Sequence, residues 1–408
     1  MNTGNMKKTI LLGLLIFIAV ASLSCATGST STKNPEVDAL IQQLGDSDRV
    51  KGGEASTQLY KLSMESDDVI PSLVKALRND NPNIRADAVY TLWFISTEKK
   101  VPEDQITRML KDKDISVRVE AAKAVGYMHK DAKEVLPILL EGMEDEDYYV
   151  RFRAIMGFVF FGHEIDKEIP QVIPNLLKAL GDENPSVRHP AGMALKEFGE
   201  PAVPGLIEAL GSVNPAARDR AADTLGGIGH DAADAVPALI NTLKDDEPRI
   251  RHEAAIALTK ISEGNIKEAL PILIDGLNGN DGTGVQSRSA EALAKMGPAA
   301  KDAIPVLLEV LETANGLAKC NIAFALTQIS KSHVEIGINA LIEELGNEDA
   351  SMVAVGYLGD LGQVAKTALP KLKEMSEKER IDYVRVAILN AISKIEEEQS
   401  DAETPSGD

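Results

Sequence analysis

Histidine beside an acid is the pairing in this chain that could ligate a metal ion or move a proton, and it occurs in Ile250-Arg251-His252-Glu253-Ala254-Ala255. The corresponding places elsewhere read His189-Pro190 and Asp219-Arg220, while His163-Glu164 falls at another spacing. A metal centre draws three or four such side chains to within about 2 Å of one ion. One pair is too few, so His252 and Glu253 stand only as weak metal candidates and no cofactor is expected. The two cysteines, Cys25 and Cys320, make no zinc spacing. No glycine-rich phosphate loop or nucleophile elbow occurs, and no catalytic residue is expected.

Charge narrows the partners. Acidic residues number 63 against 43 basic ones, a net charge of −20. Nucleic-acid affinity rests on neutralising phosphates with Lys and Arg, so no nucleic-acid partner is expected. An anionic membrane would repel the same body, so membrane contact needs a separate anchor. The first segment offers one. Lys7 and Lys8 precede an apolar run over 10–23 in the manner of a secretory signal, and the run is shorter than the roughly 20 residues that span a bilayer. Cleavage after Ala21, in Ala19-Val20-Ala21, would release the protein to the periplasm or the medium. Cys25 resembles the lipid-acceptor cysteine of bacterial lipoproteins, which implies an exported protein anchored at the cell envelope. The chain is accordingly divided into a signal peptide (1–24), a Ser/Thr-rich tether (25–36), a repeat array (37–396) and a disordered acidic tail (397–408).

The array is visible as repetition. NPNIRADAVYTL (81–92) returns as NPSVRHPAGMAL (184–195) and EPRIRHEAAIAL (247–258). Aligned on the residue before the Arg, the copies give eleven registers: Lys51, Ile84, Val117, Val150, Val187, Ala217, Ile250, Val285, Ala318, Ala350 and Val384. A fixed period near 33 residues marks a solenoid. Each unit reads as two helices. The second carries apolar residues 0, 4, 8 and 11 places from the register, as in Ile84, Ala88, Leu92 and Ile95, which is one stripe of a 3.6-residue helix. Asn81, Asp114, Asp147, Asn184 and Asn214 are its expected N-caps. The first helix follows the pattern of VIPSLVKAL (69–77) and AVPALINTL (235–243), with proline expected in the first turn. Asp68, Asp234 and Asp302 are its expected caps, and Gly126, Gly162, Gly199, Gly229 and Gly297 are expected C-caps of second helices.

Short two-helix units with a first-turn proline, a capped loop and a Val/Ile-Arg pair resemble HEAT repeats, in the short form named after phycobilisome lyases. The resemblance implies an all-α, right-handed α-solenoid of about eleven repeats, working as a scaffold for a protein or peptide partner. It also implies that the repeat arginines pair with loop acids, for which Asp80, Asp182 and Asp246 are placed. An enzymatic alternative comes from the same source. Ile250-Arg251-His252-Glu253 is similar to one motif of deoxyhypusine hydroxylases, HEAT-like oxidoreductases that hold iron with several His-Glu pairs, and phycobilin lyases share the repeat. His189 and His252 are two repeats apart, roughly 16–20 Å at a helix spacing of about 8–10 Å, too far to share one ion.

Partner-binding residues are sought on second helices, 2, 6 and 9 places from the register, the sector turned away from the stripe. Tyr90, Trp93, Val119, Phe152, Met156, Val159 and Met193 fall there. Two arrangements fit: an exposed apolar patch, which commonly marks a binding surface, or rings tucked between neighbouring helices.

Overall fold

The computed structural model describes residues 34–397, apart from 47, 130–131, 162–168, 263–266, 280–283 and 380. The expected signal peptide with Ala21 and Cys25, most of the tether, Gly162, His163-Glu164 and the tail beyond 397 lie outside the described residues. Contacts divide the chain into two compact units, up to Ala202 and from Val203. Each is an all-α solenoid of successive hairpins, with no strand among the described residues.

In the first unit the hairpins are α1 (Pro35–Gln43) with α2 (Arg49–Glu65), α3 (Val69–Ala76) with α4 (Pro82–Ile95), α5 (Glu103–Arg108) with α6 (Ile115–His129), α7 (Ala132–Gly142) with α8 (Tyr148–Phe161), and α9 (Ile169–Ala179) with α10 (Pro185–Phe198). The second unit continues with α11 (Val203–Ala209) and α12 (Pro215–Ile228), α13 (Val236–Thr242) and α14 (Pro248–Ile261), and α15 (Leu270–Leu277) and α16 (Val285–Met296). It ends with α17 (Ile304–Leu311) and α18 (Gly316–Ile329), α19 (Val334–Glu344) and α20 (Ser351–Leu361), and α21 (Leu369–Lys378) and α22 (Asp382–Glu396). Even-numbered helices lie side by side, α2 to α10 in one unit and α12 to α22 in the other, and each packs on the odd-numbered helix of its own hairpin.

The loop chemistry starts the long helices where expected. Asn81, Asn184 and Asn214 accept from the main-chain N–H two residues on, at 2.9, 2.9 and 3.0 Å, and Asp114 and Asp147 do the same. Each cap satisfies a donor that has no partner inside the helix. The stripe is core: Ile84, Ala88, Leu92 and Ile95 are buried, as are Ile250, Ala254, Leu258 and Ile261. One hairpin cannot cover this stripe alone, and stacking gives it a neighbour. Leu225, on the α12 stripe, is fully buried. Leu225→Ala should therefore cost about 2–5 kcal/mol of stability in a denaturant titration, and a loss below about 1 kcal/mol would contradict the register.

Three details differ from expectation. Asp68 makes no side-chain cap, and Asp234 and Asp302 lie within 3-10 turns, Gly229–Ala235 and Gly297–Ala303, that lead straight into α13 and α17. Helices α7 and α9 begin early, so Pro137 and Pro174 sit inside them rather than in the first turn. Gly126 lies inside α6. Gly199, Gly229 and Gly297 do end their helices, with φ of 67°, 76° and 55°, a region where a Cβ would be strained.

Candidate functional site

The arginine one place beyond the register stitches hairpins together. Arg85 forks onto Asp112 at 2.9 and 2.7 Å, Arg151 onto Asp182 at 2.8 and 2.9 Å, and Arg218 onto Asp245 at 2.7 and 3.0 Å. Asp182 is thus the acceptor that the repeat resemblance implies. Asp80 and Asp246 instead offer main-chain carbonyls, to Arg85 at 3.0 Å and Arg251 at 3.1 Å, while the carboxylates that Arg85 and Arg218 fork onto, Asp112 and Asp245, lie in the inter-helix loop of the following hairpin. Where Lys319 replaces the arginine, it reaches Glu343 at 2.7 Å. The Arg218 fork holds the Asp245 carboxyl below the usual carboxylate range. Its contribution to stability is then present above the ordinary Asp pKa, about 3.9, and is lost as pH falls through the lower folded value.

A second set of charges, three places beyond the register, lies inside the first unit. Asp87 on α4, Glu120 on α6 and Arg153 on α8 are all buried, Glu120 at 0% exposure. Arg153 bonds to Asp87, sixty-six residues away, and its Nε stands 3.5 Å from Glu120. Lys123, also buried, lies 2.6 Å from the other Glu120 oxygen. Charges this deep lose hydration and persist only when paired. Burial pushes the Asp87 carboxyl up and the Lys123 ammonium down, against the pull of Arg153 and Glu120 respectively. Burial also works against Arg153, but Glu120, Tyr149 and Asp87 outweigh it and keep the guanidinium firmly protonated.

Aromatic rings pack over this network. Lys123 Nζ sits 5.1 Å from the centre of the Tyr90 ring and 5.5 Å from that of Trp93, within cation–π range. Tyr149 is held between Arg153 and Arg49, each 4.4 Å from its centre. Arg49 opens α2 and Tyr149 is the second residue of α8, so the N-terminal halves of α2, α4, α6 and α8 converge on one knot of side chains. Tyr60 and Phe94 pack beside it with ring centres 4.4 Å apart and planes tilted by 37°, and Trp93 meets Tyr127 edge-on at 5.4 Å. Burial, with Glu120 nearby, raises the Tyr90 phenol to about 12, so it stays a neutral donor.

The second unit repeats the device. Arg288 on α16 pairs with Glu253 on α14, at 2.6 Å through Nη2, and lies 3.5 Å from Asp223 on α12. Further along, Asn321 donates to Ser287 Oγ at 2.8 Å and accepts from the Tyr357 hydroxyl at 2.6 Å, while Phe324 stacks on Tyr357 at 4.1 Å.

The seven residues expected to bind a partner are not a single exposed patch. Trp93, Val119, Met156 and Val159 are buried, at 2%, 0%, 8% and 8% exposure. Helices α4, α6 and α8 each have a long helix on both flanks, and these four side chains take the second of the two arrangements, tucked between neighbouring helices. Tyr90, Phe152 and Met193 are half-buried and keep an accessible edge. The sequence reading missed the charges three places beyond the register, although their recurrence was legible: Asp87, Glu120 and Arg153, then Arg220, Glu253 and Arg288.

His252 is buried, its Nε2 3.8 Å from an Asp275 oxygen, and burial lowers its pKa. Glu253 beside it is committed to Arg288. Among the described residues no group of three or more His, Cys, Asp or Glu side chains is arranged to hold a metal ion. Cys320 is fully buried, and burial pushes its thiol up to about 11, which keeps it protonated and unreactive.

Residues 103–169 and 203–294 match the family model of HEAT repeats, and 285–313 match that of the PBS lyase HEAT-like repeat. The phycocyanobilin lyase subunit alpha of Nostoc sp. is 34% identical over 155 residues, 36% of this chain and 54% of that protein. The chain thus spans about half the length of this curated relative. Among solved structures, yeast importin-β (Kap95p) superposes with a TM-score of 0.52 at 14% identity, over 89% of this chain and 62% of importin-β. The Kap95:Nup1 complex gives 0.52 at 15% identity, over 89% and 57%. At such identities the likeness to importin-β is one of fold.

Proposed function

The chain is a HEAT-repeat protein with units of the phycobilisome-lyase type, and we propose that it works as a non-catalytic scaffold at the cell envelope. It binds a protein or peptide on the second-helix face of its first unit. One observation supports this reading: the half-buried rings of Tyr60, Tyr90, Tyr127 and Phe152 stand on four successive second helices, and buried ion pairs fix those helices. Aromatic edges on a rigid support are what protein interfaces favour, because little side-chain freedom is lost on contact. Solved importin-β includes a complex with Nup1, an instance of this fold beside a protein partner. The tether in this reading is lipid on Cys25, supported by the signal-like residues 7–23 ahead of it.

A photo-reactive phenylalanine analogue placed at Tyr90 or Phe152 in intact cells should capture one discrete protein. The same probe at Lys75, exposed on α3, should capture none. Absence of any adduct, or the same adducts from all three positions, would overturn the assignment of this face. In the same cells Cys25→Ser should release the protein from the membrane fraction, and a wild-type protein found in the soluble fraction would refute the tether. A second reading, a bilin-lyase subunit, is favoured only by the 34% identity. An unchanged absorption spectrum on mixing the purified chain with phycocyanobilin would dismiss it.

A further inference from the structure

Arg49, in the first turn of α2, ties the first hairpin to the fourth. Its guanidinium lies 4.4 Å from the centre of the Tyr149 ring and 3.9 Å from an Asp147 oxygen. That ion pair is partly open to water, at 31% and 48% side-chain exposure, whereas Arg153 and Asp87 beside it stand at 8% and 10%. An exposed pair holds weakly and is screened by salt. The rest of the turn is unpacked: Val50 is 68% exposed and Lys51 is exposed as well. The apolar anchors of α2, Ala55 and Leu59, come later and are buried. Between turn and anchors stands Gly52-Gly53, where later copies carry Arg85-Ala86 or Arg151-Phe152. So α2 has no arginine there to fork onto the next inter-helix loop. A Cβ on Gly52 would come within 3.1 Å of the Leu44 carbonyl oxygen and 3.4 Å of Asp87 Oδ2, which accounts for that glycine. A Cβ on Gly53 would meet nothing within 4 Å. Packing does not call for the second glycine; its effect is to loosen the helix, because glycine in a helix gives up the most backbone freedom.

We propose that Arg49 is a latch and Gly52-Gly53 its hinge, so that the first turn of α2 swings away from α8 while the body of the helix stays in the core. Closed, Arg49 covers one side of the Tyr149 ring while Arg153 supports the other. Open, the turn bares that ring face and the Asp147 carboxylate. Both stay in place when it does, because Asp147 is held by the Tyr149 main-chain N–H at 2.9 Å and Tyr149 rests on the buried Arg153. Ionic strength shifts the balance towards the open form, since the ion pair it screens is an exposed one.

Spin labels test this on the full chain, with Cys25→Ser to remove a reactive thiol and the buried Cys320 left as it is. Labels on Lys51→Cys, in the turn, and Glu146→Cys, in the loop before α8, are both exposed and report the gap by pulsed electron resonance. At low salt the parent should give one narrow distance distribution. Arg49→Ala should broaden it towards longer distances, and high salt should move the parent the same way. Asp147→Asn, which keeps a capping side chain for α8 but not the charge, should do so in part. Adding Gly53→Ala to Arg49→Ala should narrow the distribution again. A second label pair, Gln58→Cys with Glu146→Cys, should not move in any of these, because that part of α2 is fixed. An unchanged distribution in Arg49→Ala, a parent as broad as the variant, or no narrowing from Gly53→Ala would each overturn the proposal. So would an equal shift at position 58, which would mean that the whole hairpin moves and no hinge exists.

Discussion

Glu120→Ala is expected to lower the free energy of unfolding by about 3–5 kcal/mol. Its carboxylate, at 0% exposure, stands between Lys123 and Arg153. Removing it leaves two buried cations facing each other without their shared anion, and neither can reach water from that depth. The size of the loss separates this network from ordinary surface pairing. Lys394→Ala, which breaks an exposed pair with Asp360 at 2.9 Å, should cost no more than about 1 kcal/mol. If Glu120 is replaced by Leu together with Lys123→Met, the Arg153–Asp87 pair remains intact and an apolar filling replaces the other. Most of the stability should then return, because a buried ion pair exchanged as a whole for well-packed apolar groups is often neutral.

The second large effect concerns Arg153→Met. Its guanidinium bonds to Asp87 across an intervening hairpin and packs on Tyr149. Its loss leaves Asp87 and Glu120 as adjacent buried acids, and burial already pushes the Asp87 carboxyl up. A loss of about 3–5 kcal/mol is expected here as well, read as a lower denaturant midpoint. A raised midpoint would mean that the cluster is a burden on stability even when one partner is missing.

Much of the fold was legible because a solenoid writes its rule many times. The register residues, the Asn81-type caps and the stripe through Leu92 and Leu258 follow from local periodicity and loop chemistry, and neighbouring copies corroborate one another. The site was less legible. For Trp93 and Val159 helix geometry alone left two arrangements open, an exposed patch or burial between helices, since one helix by itself shows one buried stripe. In the stack a long helix inside a unit, such as α4, α6 or α8, also touches a long helix on either side, and that lateral packing depends on how sharply the hairpins turn. The same turning brings Arg49 to Tyr149 and Arg153 to Asp87. No spacing within a single repeat encodes it, although acids and bases recurring three places beyond several registers were a usable sign. First-helix starts were misjudged for a related reason: 3-10 turns continue into α13 and α17, so Asp234 and Asp302 have no free helix end to cap.

A double-mutant cycle on Asp87 and Arg153 tests the stacked arrangement most directly, because the two residues meet only if every intervening hairpin lies where it is described. Asp87→Asn, Arg153→Met and the double variant would be unfolded in denaturant beside the parent chain. The stacked arrangement predicts a coupling energy of about 2–3 kcal/mol, as for residues in one charged network. Additivity within about 0.5 kcal/mol, the behaviour of residues far apart, would contradict it.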